Sequence, residues 1–142
     1  MTSCKDDCEA LMSAVLPSAE QMLIEHHALQ PFGSTLSADS QITQIGGWVV
    51  DSGSLTPELV AEFERSFRDG ATRGELKATA LVQPVLTVPP GKLEQQAGVS
   101  IHLDHRDDYS IVVTFPYRFS SNGELVIEEP FAREGEHTIF QK

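Results

Sequence analysis

The chain predicts an α+β fold: a central antiparallel sheet of about five strands, an N-terminal helix and one crossover helix, in the order α-β-β-α-β-β-β. Three stretches carry this prediction. Residues 3–29 repeat apolar side chains at helical spacing, residues 56–73 do so again, and the run Ala97–Tyr117 alternates apolar and polar residues around a tight acidic turn. Strands that come in runs joined by short turns pair antiparallel, and the helices are expected to cover one face of the sheet.

In the first segment Cys8, Met12, Val15, Ala19, Met22, His26 and Leu29 fall on one stripe, broadened by Leu11, Leu16 and Leu23. Ser3, three residues before Asp6, is a capping signal. Pro17 sits inside the stripe without breaking its phase, which predicts one kinked helix or two nearly collinear ones. Pro31-Phe32-Gly33 turns the chain. Phe32–Leu36 and Gln41–Val50 then read as a hairpin across Ala38-Asp39-Ser40, with Gly46-Gly47 marking a bulge or close approach and Trp48 a core anchor.

Thr56-Pro57-Glu58 opens the second helix with a hydroxyl, a proline at the first position and an acid at the positive end of the dipole. Leu59, Val60, Phe63 and Phe67 are its buried stripe; Glu62, Glu64, Arg65 and Arg68 face water. Gly74 closes it in preference to Gly70, because Ala71 continues the stripe. Leu76–Val88 is extended, with Pro84 at an edge or bend, and Pro89–Gln96 is a surface loop.

The hairpin that follows can be read for register. A three-residue turn, Arg106-Asp107-Asp108, pairs Leu103 with Ile111, Ile101 with Val113 and Val99 with Phe115, which makes one face apolar. A two-residue turn would mix charged and apolar partners. Asp late in the loop tolerates the left-handed conformation such a turn needs. Pro116 is expected to end the second strand, Ser120–Gly123 to turn, and Leu125–Ile127 to form a short strand. Residues 131–142 are weakly patterned and read as a tail or a last extended segment. The 142 residues form a single domain: a helical segment at 3–29, an α+β core at 30–130 and that tail.

The formal charge of −11 argues against nucleic acid and anionic membranes and suits solubility or a cationic partner. No apolar run reaches the roughly 20 residues of a membrane span. The first residues lack the apolar core of a signal peptide, and two cysteines make no disulfide framework, so the expected location is cytoplasmic.

Three short patterns occur in order: Pro31-Phe32-Gly33 with Leu36 and an acidic turn at Asp39, then Leu103-Asp104-His105, then Pro116-Tyr117. Over roughly residues 20–120 this resembles a family of small uncharacterised bacterial cytosolic proteins, in which a PFG…L…DG hairpin precedes an L-E-H…P-Y hairpin. Here Ser40 stands in place of the turn glycine and Asp104 in place of Glu. The resemblance implies a fold grouping and no activity. The element order is also analogous to profilin-like and PAS-like layouts, and fold does not dictate function.

The catalytic candidates are His102, Asp104 and His105, the only tight acid–base cluster; Asp104 could orient His102 on the polar face, while His105 falls at the rim of the apolar face beside Tyr109. Ser100 and Ser110 share the face of His102. A polar sheet face with one ion pair is the competing reading of the same residues. Cys4 and Cys8, one helical turn apart, could bind zinc only with His26 or His27, which are adjacent to each other rather than spaced; no metal and no cofactor is expected. No phosphate loop, nucleophile elbow or EF-hand spacing occurs. The leading expectation is a non-enzymatic binding or assembly module that contacts a protein partner or itself as a homodimer, through His102, Asp104, Val112, Thr114, Pro116 and Tyr117. An immunity-type inhibitor of a basic protein is its specific version. The alternatives are a small-ligand sensor with a pocket between sheet and helix, and a small His/Asp-dependent hydrolase.

Overall fold

The structure, a computed structural model, describes residues 3–46, 56–137 and 139–140. Trp48, Gly47, the end of the second expected strand at Val50 and the 51–54 loop lie outside the described residues, as do the side chains of Thr56 and Pro57.

The element order is α1 (Cys4–His26), β1 (Phe32–Ser37), β2 (Ile42–Gly46), α2 (Thr56–Thr72), β3 (Leu76–Thr87), β4 (Gln96–His105), β5 (Tyr109–Phe119), β6 (Leu125–Ile127) and β7 (Phe131–Glu134). The fold is α+β with an antiparallel sheet, as expected. Among the described residues it has seven strands, in the order β2-β1-β3-β4-β5-β6, with β7 also on β5. β6 is the short strand expected at Leu125–Ile127, and β7, four residues long, is too short to show alternation. β2 and β3 both pair antiparallel with β1, so they run parallel to each other and α2 makes the crossover between them.

α1 is one helix with Pro17 inside it. The Asp6 N–H donates to Ser3 Oγ (3.1 Å), and His27 closes the helix at φ 53°, its N–H on the Leu23 carbonyl (2.9 Å). The expected stripe is buried at Cys8, Leu11, Val15, Ala19, Met22 and Leu23; His26, beyond it, is exposed. α2 ends at Thr72 with Gly74 at φ 73°, as the spacing predicts.

The helices lie on opposite faces of the sheet, not together on one. Strand alternation explains why. Ala78, Ala80, Val82, Val99, Ile101, Leu103 and Phe115 point to the face under α1 and form the main core with Phe32 and Leu36. Leu81, between Ala80 and Val82, points the other way and needs its own cover; Phe67 of α2 and Ile139 bury it, with Val60, Phe63 and Ile45 around them. Gly33 permits this contact, since a methyl group there would come within 2.5 Å of the Phe67 ring and 2.9 Å of the Ala80 carbonyl.

The β4–β5 register is the one predicted: Leu103 faces Ile111, Ile101 faces Val113 and Val99 faces Phe115, across a turn at 106–108 with Asp108 at φ 63°. Pro84 sits beyond the end of β1, where β3 pairs only with β4. β5 does not stop at Pro116; it continues to Phe119, because Tyr117–Phe119 gain β6 as a partner. Of the two readings of the last residues, an extended segment is the one found: β7 pairs with β5, and Ile139 beyond it is buried.

Candidate functional site

Alternation on β4 decides which sequence candidates can meet. His102 and Asp104 share the α2 face; His105, one residue on, points to the α1 face. The expected cluster of three is therefore divided. His105 is buried beneath α1, and its Nε2 lies 2.8 Å from Asp7 Oδ2. The Asp107 N–H donates to His105 Nδ1 (3.0 Å), so that nitrogen accepts and the ring proton is on Nε2, directed at the Asp7 carboxylate. This pair ties the first turn of α1 to the end of β4.

On the other face, β4 and β5 bring Ser110 beside His102, with Ser110 Oγ 3.2 Å from His102 Nε2. Asp104 is opposite Ser110 in the ladder and only 1% exposed. The segment after β7 closes over this group. The Gly135 N–H donates to the Ser110 carbonyl (3.0 Å), the His137 N–H to Ser110 Oγ (3.5 Å), and the Ile139 N–H to Asp104 Oδ2 (2.9 Å). The His137 ring lies between two carboxylates, Nδ1 4.0 Å from Asp104 Oδ1 and Nε2 3.8 Å from Asp108 Oδ1. Asp104 Oδ1 is buried without a hydrogen bond.

Burial sets the protonation of the cluster. It holds the Asp104 carboxyl above its ordinary value, against the Ile139 N–H and the nearby His102 and His137 rings, which pull it down. It holds the His102 imidazole below its ordinary value, against the attraction of Asp104. Ser110 and His102 thus have the geometry of a proton-transfer pair. Yet backbone lies over both: a methyl group on Gly135 would come within 2.0 Å of Ser110 Oγ and 3.0 Å of His102 Nε2. Gly135 packs against the hydroxyl, and the N–H groups of His137 and Ile139 latch the last described segment to Ser110 and Asp104.

The remaining candidates are dispersed. Val112, Thr114 and Pro116 share the face of His102 but are buried by this chain's own residues, and Tyr117 points to the α1 face, so these six do not form one open surface. Cys8 is buried, its thiol pushed up to about 12, chiefly by burial. It is separated from His26 by roughly 27 Å of helix axis. Among the described residues no group of His, Cys, Asp and Glu side chains is placed to hold a metal.

Among the described residues an opening of about 400 Å³ lies against the Ser110 cluster, lined by Asp108, Ser110, Arg133, Gly135 and His137, and two more border the α2 face. One, of about 300 Å³, lies between α2 and β7 and is lined by Glu64, Leu81, Gln83, His102, Arg133 and Glu136. The other, of about 410 Å³, lies at the base of the β3–β4 loop between Pro89, Pro90, Pro116, Pro130 and Phe131, rimmed by Lys92, Glu128 and Glu129. Near the second groove the end of β3 and the loop carry three exposed aliphatic side chains: Leu86 (71%), Val88 (49%) and Leu93 (98%). In the sequence the signal for this patch is Leu86, Val88 and Leu93 flanking Pro89-Pro90 in a stretch expected to end a strand and form a surface loop.

No family model, no curated protein and no solved structure matches the chain.

Proposed function

We propose that this chain is a non-enzymatic protein-binding module that engages a cationic partner through the β3–β4 loop and the groove beneath it. The observation that carries the reading is the apolar loop. Three large aliphatic side chains stand in water on either side of a Pro-Pro turn whose prolines line a groove rimmed by Lys92 and two glutamates. Exposed apolar clusters with a polar rim mark interaction surfaces, and prolines hold such a surface in shape before binding. The charge of −11 favours fast association with a basic protein, as in an immunity-type inhibitor.

The test is affinity capture from the source cells with the wild-type chain and with a Leu86→Ser/Leu93→Ser variant, at low and high salt. The expected result is a basic protein retained by the wild type, released by salt and lost with the variant. Capture that is indifferent to both changes, or no capture, overturns the reading.

A second reading, a small-ligand sensor, draws on the 300 Å³ cleft, where Arg133 and His102 sit among Glu64 and Glu136. A panel of small amines and zwitterions should then contain a compound that raises the melting temperature of the wild type but not of Arg133→Ala. A panel without effect on the wild type removes this reading.

A further inference from the structure

The two lateral edges of the sheet are built differently. At the β5 side the edge strands are three and four residues long, and β7 carries Arg133 and Glu134. Short strands and charge are the ordinary protections against strand addition. At the other side, among the described residues, β2 pairs only with β1. Its sequence, Ile42-Thr43-Gln44-Ile45-Gly46, has no charge and no proline, and Ile42, Thr43 and Ile45 favour strands. Ile42 is 45% exposed. Over Ile42–Gly46 this edge carries neither charge nor proline to deter a partner strand.

We propose that β2 is the pairing edge for a second copy of this chain, the two β2 strands running antiparallel about a two-fold axis at Gln44. The identity of the occupant follows from charge. A chain of net charge −11 repels its own copy, so self-association requires a neutral patch, and this edge is one. Pairing about Gln44 sets Gln44 against its counterpart, Thr43 against Ile45, and Ile42 against the side-chain-free Gly46; no like charges meet. The flank of α1 above β2 matches. Ser18 Oγ donates to Gln44 Oε1 (2.9 Å), which places Ser18 over the edge, and the uncharged Ala14 and Gln21 share its helical stripe. Toward the end of α1 the first acid on that stripe is Glu25, which accepts from Gln21 Nε2 (2.9 Å). With Oε1 held by Ser18, the Gln44 amide N–H groups are available to the opposing Gln44. The result is a continuous sheet across two chains.

The experiment is the solution mass of the full chain by light scattering. The wild type should have twice the 15.6 kDa of one chain. Gln44→Lys and Gln44→Glu, each setting like charges across the axis, should halve the apparent mass while keeping the wild-type circular dichroism. An equimolar mixture of the two variants should recover the doubled mass, because opposite charges then meet. A monomeric wild type, a dimer that survives both single variants, or a mixture that stays monomeric overturns the proposal. So does a monomer that pairs β2 with an unrelated extended peptide. This inference rests on the sheet edge alone, so the Leu86→Ser/Leu93→Ser variant should leave the mass unchanged, and the two readings fail separately.

Discussion

The two faces of the sheet are closed by different means. Under α1 the contact is a broad aliphatic layer with one buried polar pair, Asp7 and His105. Under α2 the fully buried apolar patch is small, Phe67, Leu81 and Ile139 with Ile45, Val60 and Phe63 around it, and hydrogen bonds from the N–H groups of Gly135, His137 and Ile139 to Ser110 and Asp104 complete the closure. The first face gains its stability from area removed from water. The second is held at a few polar points, each of which can be released without emptying the core.

That contrast can be broken from either side. Ile101→Ala on the α1 face should cost about 3–4 kcal/mol, the range for a fully buried aliphatic truncation, read by denaturant unfolding. Asp7→Ala should cost about 2–3 kcal/mol, because the His105 Nε2–H is left buried without its acceptor, and Asp7→Asn should recover part of that loss.

Gly135→Ala should cost about 1–2 kcal/mol, since Ser110 must rotate away from His102 to admit the methyl group. Amide exchange should then rise at residues 135–140 and stay unchanged in α1. In a Ser110→Ala background the same change should cost less. Equal cost in both backgrounds would show that the clash is elsewhere.

Asp104→Asn gives the smallest effect, and it depends on pH. Burial raises the folded-state pKa of Asp104, so its charged form costs stability above that pKa, and the cost vanishes as pH falls through it. The Asn variant should therefore melt higher than the wild type at neutral pH, with the difference closing on acidification. His102 works in the opposite sense. Its lowered pKa makes stability fall as pH drops below its ordinary 6.5, in wild type and variant alike. A variant that is less stable at neutral pH would show that the Asp104 charge is favourable where it is.

What could be read from sequence was local. The β4–β5 register followed from pairing Leu103 with Ile111 on one face, and the turn conformation from Asp108. The α1 stripe followed from spacing, and the end of α2 from Gly74. The contacts that define the site were not local. Asp7 and His105 are 98 residues apart; alternation puts His105 on the apolar face after Leu103, but nothing in its own strand names its partner. The closing segment reaches Ser110 and Asp104 through backbone N–H groups, which leave no signature in side-chain types. Ser40 is a smaller case. It adopts φ 68°, in the left-handed region, with Lys77 Nζ donating to its hydroxyl (2.6 Å).

Asp104 and His105 are neighbours in sequence, buried on opposite faces, and each is matched to one partner from a distant element. If β4 slid by one residue against its neighbours, every side chain would change sides. His105 would move away from Asp7 into the α2 face, and Asp104 would enter the aliphatic layer beneath α1. Both would lose their partners at once, at a cost of about 1–3 kcal/mol for each buried polar group left unsatisfied. The two residues therefore act as a registration mark. They reinforce the register that Val99, Ile101 and Leu103, alternating with Ser100 and His102, already set.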